Sequence, residues 1–234
     1  MKQLLLFGAT GAIGTATRDF FKKNGWGVTS VSRAKTPNEG DLVWAPFDTS
    51  EDSKIISEKL HQNGPFDAVC WAQGANCTDS IYSFDVNQHQ ALYEANVLFV
   101  LSTLKRLLEE DVLEKPSRLC IVSSIWQNRA RQTKLSYCVT KSALKGVVLS
   151  LATDLAIDGH LINAVLPGVL DTPMTQANLR PDQIANVTEQ TKFGRLPSLD
   201  DVSSAIYSLC SVENTGVTGQ FVEVDLGFSN VRLI

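Results

Sequence analysis

Ser124, Tyr137 and Lys141 form the most specific chemical pattern in the chain. Tyr137 and Lys141 are spaced to share one face of a helix, one turn apart. A phenol, with pKa near ~10, becomes a useful proton donor or acceptor when its anion is stabilised. A neighbouring ammonium supplies that stabilisation. With 4 tyrosines in the chain, chance gives about 0.2 Tyr-x-x-x-Lys pairs, and a serine at one fixed offset lowers this to about 0.02. The triplet is therefore treated as chemistry.

These side chains need elements to hold them. The chain alternates β-rich runs, expected as strands at 3–7, 27–32, 42–47, 66–71, 118–124, 161–166 and 220–224, with helical stretches near 12–23, 50–62, 86–110, 135–157 and 199–210. Such alternation signals parallel βαβ units. Leu4-Leu5-Leu6-Phe7 and Leu119-Cys120-Ile121-Val122 are continuously apolar, as befits strands buried on both faces. Ser124 falls at the carboxyl end of the fifth strand and Tyr137 opens the following helix, at the sheet edge where open α/β sheets bind ligands. Leu144, Val148, Leu151 and Leu155 continue the Tyr137–Lys141 face as an apolar stripe toward the sheet. Val139, Ala143, Gly146, Val147 and Ser150 form a second, small-residue face, which predicts pairing with another copy of the chain.

The first strand runs into Gly8-Ala9-Thr10-Gly11-Ala12-Ile13-Gly14, followed by a helix. A glycine turn there lets backbone approach a diphosphate at the helix N-terminus. No Gly-Lys-Ser/Thr follows, which excludes a P-loop. The second strand ends at Ser32-Arg33 without an acidic residue, so Arg33 is expected to meet a 2′-phosphate and to favour NADP(H) over NAD(H). Asp48 suits either an adenine amino group or a helix N-cap. From 170 to 197 the rhythm breaks, with Pro173, Pro181 and Pro197; a long excursion of this kind is expected to be a substrate-binding loop or lid.

With these motifs in place, the chain resembles the short-chain dehydrogenase/reductase family from Lys2 to about Gly227. The resemblance implies an α/β, Rossmann-type doubly wound parallel sheet of order 3-2-1-4-5-6-7 and a nicotinamide cofactor. It implies a catalytic set of Asn96, Ser124, Tyr137 and Lys141, with Lys141 holding the nicotinamide ribose and lowering the Tyr137 pKa, and Asn96 holding a water. Pro167-Gly168-Val169 and Thr172 resemble the segment facing the nicotinamide, Gly74 a backbone contact to the cofactor, and Asp225-Leu226-Gly227 the family's C-terminal Asp-Gly-Gly. Two features depart from the pattern. The glycine spacing is closer to the family's nucleotide-sugar branch, and Trp71-Ala72-Gln73-Gly74 replaces the usual Asn-Asn-Ala-Gly. The expected activity is an NADPH-dependent carbonyl reductase or alcohol dehydrogenase acting on a small carbonyl or alcohol. A sugar or sugar-nucleotide dehydrogenase and a non-catalytic NADPH-binding regulator are the alternatives.

Composition sets the outer bounds. The chain has 234 residues, 44% hydrophobic and 20% charged, which argues for a folded chain expected to form one domain over 1–234. A net charge of −4 offers no basic footprint for nucleic acid. There is no apolar run of membrane-spanning length and no secretory pattern at the N-terminus. The 5 cysteines make no C-x-x-C pair, and Cys70 and Cys120 lie in apolar runs. A reduced, cytoplasmic protein without a metal site is expected.

Overall fold

A computed structural model describes residues 1–32, 42–44 and 53–231. It contains a seven-stranded sheet of order β3-β2-β1-β4-β5-β6-β7. The strands are β1 (Gln3–Phe7), β2 (Gly27–Ser32), β3 (Leu42–Val43), β4 (Phe66–Trp71), β5 (Leu113–Val122), β6 (Leu161–Pro167) and β7 (Phe221–Val224). All neighbouring pairs are parallel. The helices are α1 (Ala12–Lys23), α2 (Ser53–Asn63), α3 (Val86–Tyr93), α4 (Phe99–Glu109), α5 (Leu135–Asp154), α6 (Pro173–Asn178), α7 (Pro181–Gln190) and α8 (Leu199–Cys210).

Strand periodicity sorts side chains to two faces. Leu5 and Phe7 point into a core shared with Ile56 and Leu60 of α2, Leu104 and Leu107 of α4, and Leu144 and Val148 of α5. Leu4 and Leu6 point to the other side, where Phe21 of α1 and Val202 and Ile206 of α8 cover them. The continuously apolar strands are thus buried twice, as their sequence requires. Cys70, Cys120 and Cys210 belong to this second core as free thiols. No helix among the described residues is long and apolar enough to cross a membrane, and no described group of three or more His, Cys, Asp or Glu is placed to hold a metal.

The boundaries differ from expectation in physically informative places. The predicted 86–110 helix is split by a π turn over Glu94–Leu98 between α3 and α4, a local widening that periodicity cannot reveal. The predicted 135–157 helix ends at Asp154 and tightens into a 3-10 turn closed by left-handed Gly159. The irregular 170–197 stretch contains α6 and α7. Its prolines break no helix: Pro173 and Pro181 sit in the first turns of α6 and α7, where a missing N–H costs nothing.

The glycine turn is fixed by close backbone approaches. Gly8 has φ +76°, and a Cβ there would lie 2.5 Å from the Gln73 nitrogen. A Cβ on Gly14 would lie 2.1 Å from the Gly8 oxygen, whereas one on Gly11 would meet that oxygen at an ordinary 3.5 Å. Gly14→Ala is therefore expected to lose about 1–3 kcal/mol of stability and to melt several degrees lower, while Gly11→Ala melts with wild type. Thermal unfolding followed by circular dichroism checks the contrast, and equal melting of both variants would refute it.

Candidate active site

The carboxyl ends of β1, β4, β5 and β6 open onto one cavity of about 740 Å³. At one end lies the glycine turn. Gly8, Thr10, Gly11, Ala12 and Ile13 line it, and the N-cap of α1, Gly11, provides no side-chain cap. The first-turn amides of a helix are a ready anion site when no side chain covers them. Ser32 and Gly74 line the same cavity, as do Pro167, Gly168, Val169 and Thr172. Arg33 and Asp48 lie outside the described residues.

At the other end β5 delivers Ser124, which is extended and caps a 3-10 turn by accepting from the Trp126 amide at 3.3 Å. Tyr137, in the first turn of α5, is partly exposed and lines the cavity with Ser124. Lys141 sits behind them, 4% exposed. Its Nζ donates to the Val122 carbonyl at 3.1 Å and lies 5.8 Å from the centre of the Tyr137 ring. Burial pulls the Lys141 ammonium down to about 8. Burial also pushes the Tyr137 phenol above its ordinary value, while the hydrogen bond with Ser124 and the Arg131 charge pull it back. The resemblance led us to expect a phenol lowered by Lys141. In this geometry desolvation outweighs the lowering by Ser124 and Arg131.

Asn96 and Gly14 stand behind the wall. Asn96 is 2% exposed; its Oδ1 accepts from the Ala75 amide at 2.8 Å, and its Nδ2 donates to the Ala75 carbonyl and to Thr140 Oγ1. Both ends of the amide are engaged, so its side chain braces the Gly74–Ala75 turn against α5. Thr172 caps α6 by accepting from the Thr175 amide.

The structure adds residues that the sequence did not mark. Asp79 accepts from the Ser136 amide and hydroxyl, fastening the start of α5 one residue before Tyr137. Lys134, 2% exposed, donates to Asn76 Oδ1, the Cys77 carbonyl and Thr78 Oγ1. Trp126 and Arg131 line the cavity beside Tyr137. Nothing local marks these residues, because Asp79 and Ser136 are brought together by the fold alone.

Among the described residues, three lining side chains carry buried polar atoms with no hydrogen-bond partner: Ser32 Oγ, Gln73 Oε1 and Ser123 Oγ. Buried polar groups are normally satisfied. Together with the bare first turn of α1, they fit a polar, phosphate-bearing dinucleotide in this cavity.

Comparison with known proteins agrees with this geometry. A family model described as enoyl-(acyl carrier protein) reductase matches residues 46–229. An uncharacterized oxidoreductase of Schizosaccharomyces pombe is 29% identical, covering 95% of this chain and 96% of that protein. The 3-oxoacyl-[acyl-carrier-protein] reductase FabG of Salmonella typhimurium is 25% identical, covering 92% of this chain and 85% of that one. Among solved structures, the ligand-free aldohexose dehydrogenase of Thermoplasma acidophilum superposes with a TM-score of 0.88 at 21% identity, over 100% of this chain and 96% of that one. ElxO with NADP bound superposes at 0.82 and 21% identity, over 97% and 98%. The chain belongs to the short-chain dehydrogenase/reductase family of NAD(P)-dependent oxidoreductases.

The depressed Lys141 pKa has a stability consequence of definite sign. The folded state holds this proton less tightly than the unfolded chain, so wild type gains stability as pH rises from about 8 toward 10.5. Lys141→Met removes the buried charge. Its stability relative to wild type is expected to be greatest near neutral pH and to shrink across that window. Urea unfolding of both proteins at neutral and alkaline pH measures the difference, and a constant gap would contradict a buried ammonium.

Proposed function

We propose that the chain is an NADPH-dependent carbonyl reductase, reversible as a secondary-alcohol dehydrogenase. The observation that carries this reading is the convergence of Ser124, Tyr137 and Lys141 on one end of a cavity whose other end is the glycine turn. When bound, the nicotinamide cofactor supplies a hydride to the carbonyl carbon. The Ser124 hydroxyl donates to the carbonyl oxygen as charge develops there. Tyr137 gives its phenolic proton to that oxygen, completing the alcohol. Lys141 holds the nicotinamide ribose, and its charge favours the phenolate left behind. Asn96 keeps the Gly74–Ala75 turn in register with α5.

Thr10 and the first-turn amides of α1 take the diphosphate. Ser32 with Arg33 takes the ribose 2′-phosphate, where a guanidinium forms paired charge-assisted bonds. Asp48 would accept a hydrogen bond from the adenine amino group. Pro167, Gly168, Val169 and Thr172 face the nicotinamide. The 170–197 segment, with α6 and α7, closes the substrate side as a lid within the one domain. ElxO, which shares this fold, has been solved with NADP bound.

Oxidation of NADPH and NADH is measured over a panel of ketones, aldehydes and a 2-enoyl thioester. Ketone turnover is expected, with Tyr137→Phe slower by at least ~10²-fold in kcat at nearly unchanged NADPH affinity. NADPH is expected to be favoured by roughly 10- to 150-fold, and Arg33→Asp should remove that preference. Turnover of the enoyl thioester alone, or a ratio insensitive to Arg33, would reject the respective assignment.

The chain is further proposed to assemble as a homo-oligomer through α5. Val139 is 44% exposed, Ser150 is exposed, and a Cβ on Gly146 would meet nothing within 4 Å. Ala143 and Val147 of the same face pack partly against the core, and symmetric self-pairing would bury the part that stays exposed. Light scattering at micromolar concentration is expected to give a dimer or tetramer mass; a monomer mass would reject the pairing.

A further inference from the structure

The helix that carries Tyr137 takes its cap from elsewhere in the chain. Lys134 holds the N-cap position of α5, and a lysine side chain has only donors, so it cannot accept from the first-turn amides. Asp79, 57 residues before Ser136, does so instead: its carboxylate accepts from the Ser136 amide and hydroxyl. Backbone bonds pin the same place, with the Asp79 amide donating to the Thr133 carbonyl at 3.1 Å and the Leu135 amide to the Asp79 carbonyl at 3.4 Å. A negative charge at a helix start is also favoured by the helix dipole.

His89 completes the arrangement from α3, its Nδ1 lying 2.8 Å from Ser136 Oγ. Ser136 has one hydroxyl proton and a carboxylate accepts it, so His89 Nδ1 must be the donor. The bonds therefore run from His89 Nδ1–H to Ser136 Oγ, and from Ser136 Oγ–H to Asp79 Oδ2. The imidazole is oriented by its own surroundings. Asp85 caps α3 through the Gln88 amide, and the Phe84 ring packs against His89 with centroids 5.4 Å apart. Asp79 and Ser136 are buried, and His89 is half-buried at the outer end of the chain of bonds. None of the three takes part in the carbonyl chemistry, yet their bonds end one residue before Tyr137. The rest of α5 is held independently, by Leu144 and Val148 in the core and by Lys141 on Val122. Losing the His89 bond thus frees the first turn and leaves the helix folded.

Building on the proposal that Tyr137 is the proton donor, we infer that His89 and Asp79 are positioning residues for it. Asp79 is the cap of α5 supplied from outside the helix, and His89 turns the Ser136 hydroxyl onto Asp79, so that the first turn of α5 is held where Tyr137 meets Ser124. A proton donor displaced by about 1 Å loses up to ~10²-fold in rate, which is why a bond two groups away from the reaction has a kinetic effect.

The test separates kcat from KM, with a ketone that wild type reduces. His89→Leu is expected to lower kcat by about 5- to 20-fold while KM and the NADPH Kd stay nearly unchanged. His89→Asn, whose side-chain N–H falls near the place of Nδ1–H, should recover most of the loss. The double variant His89→Leu/Ser136→Ala is expected to be no slower than Ser136→Ala alone, because both changes break one chain of bonds. Losses that multiply, a loss carried by KM, or no recovery with asparagine overturns the inference and leaves the carbonyl reductase standing. The direction of the bonds is read apart from turnover by nitrogen-15 NMR: neutral His89 is expected to carry its proton on Nδ1, and an Nε2–H tautomer overturns the inference even where ketones are reduced. If no carbonyl compound is reduced, the functional reading fails. The placing of Tyr137 is then judged from its ring resonance in carbon-13-labelled protein, which His89→Leu should shift and His89→Asn restore; an unmoved resonance overturns it. Should Ser136→Ala fail to fold, the two His89 variants and the tautomer still decide.

Discussion

The Lys141 ammonium donates to the carbonyl of Val122, and through this bond α5 is tied to the carboxyl end of β5. A lysine nitrogen has no place in an apolar interior unless its donors are met. Having one of them on the last residue of β5 fixes how far α5 sits along the sheet. Tyr137, one turn earlier on the same helix, is thereby brought beside Ser124, two residues beyond Val122. The Asp79–Ser136 bonds hold the same helix start from the side of β4. Asn96 joins the turn after β4 to Thr140 from the π turn between α3 and α4. The junctions after β4 and β5 and the π turn thus converge on the start of α5, which carries Tyr137.

The opposite end of the cavity is held by close backbone contacts. Gly8 lies against the Ala72–Gln73 backbone, and Gly14 lies against Gly8; neither position has room for a side chain. Gly168 is confined in the same way by Asp225, whose Cβ would be 2.7 Å from an added Cβ. Asp225 in turn accepts from the amides of Gly227 and Ser229. These approaches keep the walls of the site backbone-lined where a cofactor must come close. They also separate glycines that the fold requires from Gly11, which the protein's own packing leaves free to change.

Much of this was legible in the sequence, for identifiable reasons. The apolar strands, the first helix and the last helix announce themselves because their burial follows a fixed period. Ser124, Tyr137 and Lys141 were found because local spacing in a helix and a strand end encodes their proximity. The glycine turn was found because its neighbours in sequence are also its neighbours in space. Asp79, Arg131, Trp126 and the unpartnered Ser123 escaped notice because their importance comes from long-range juxtaposition. The π turn at Asn96 was hidden for another reason: a local change of winding leaves the apolar pattern nearly intact. The prolines of 170–197 misled by type, since proline that breaks a helix in its interior is well suited to its first turn.

The departure at Trp71 has a physical resolution in the same structure. The resemblance leads one to expect asparagines at the end of β4 that brace the sheet, and Trp71 and Ala72 fall there instead. Trp71 is fully buried and stacks on Phe7 of the neighbouring strand, with ring centroids 5.7 Å apart and planes within 1°. Phe7 also packs against Trp44 and edge-on against Phe99. The Trp71 indole N–H donates to Thr103 Oγ1 at 2.8 Å, and Thr103 donates on to the Phe99 carbonyl. The role of the polar ladder has passed to an aromatic cluster anchored on α4, where buried area and ring geometry both contribute. That exchange keeps β1, β4 and α4 in register. Gln73, one position before Gly74 on the cavity wall, has its buried Oε1 without a protein partner. The sheet has gained an apolar brace at this junction, and the cavity has kept a polar group there for a ligand.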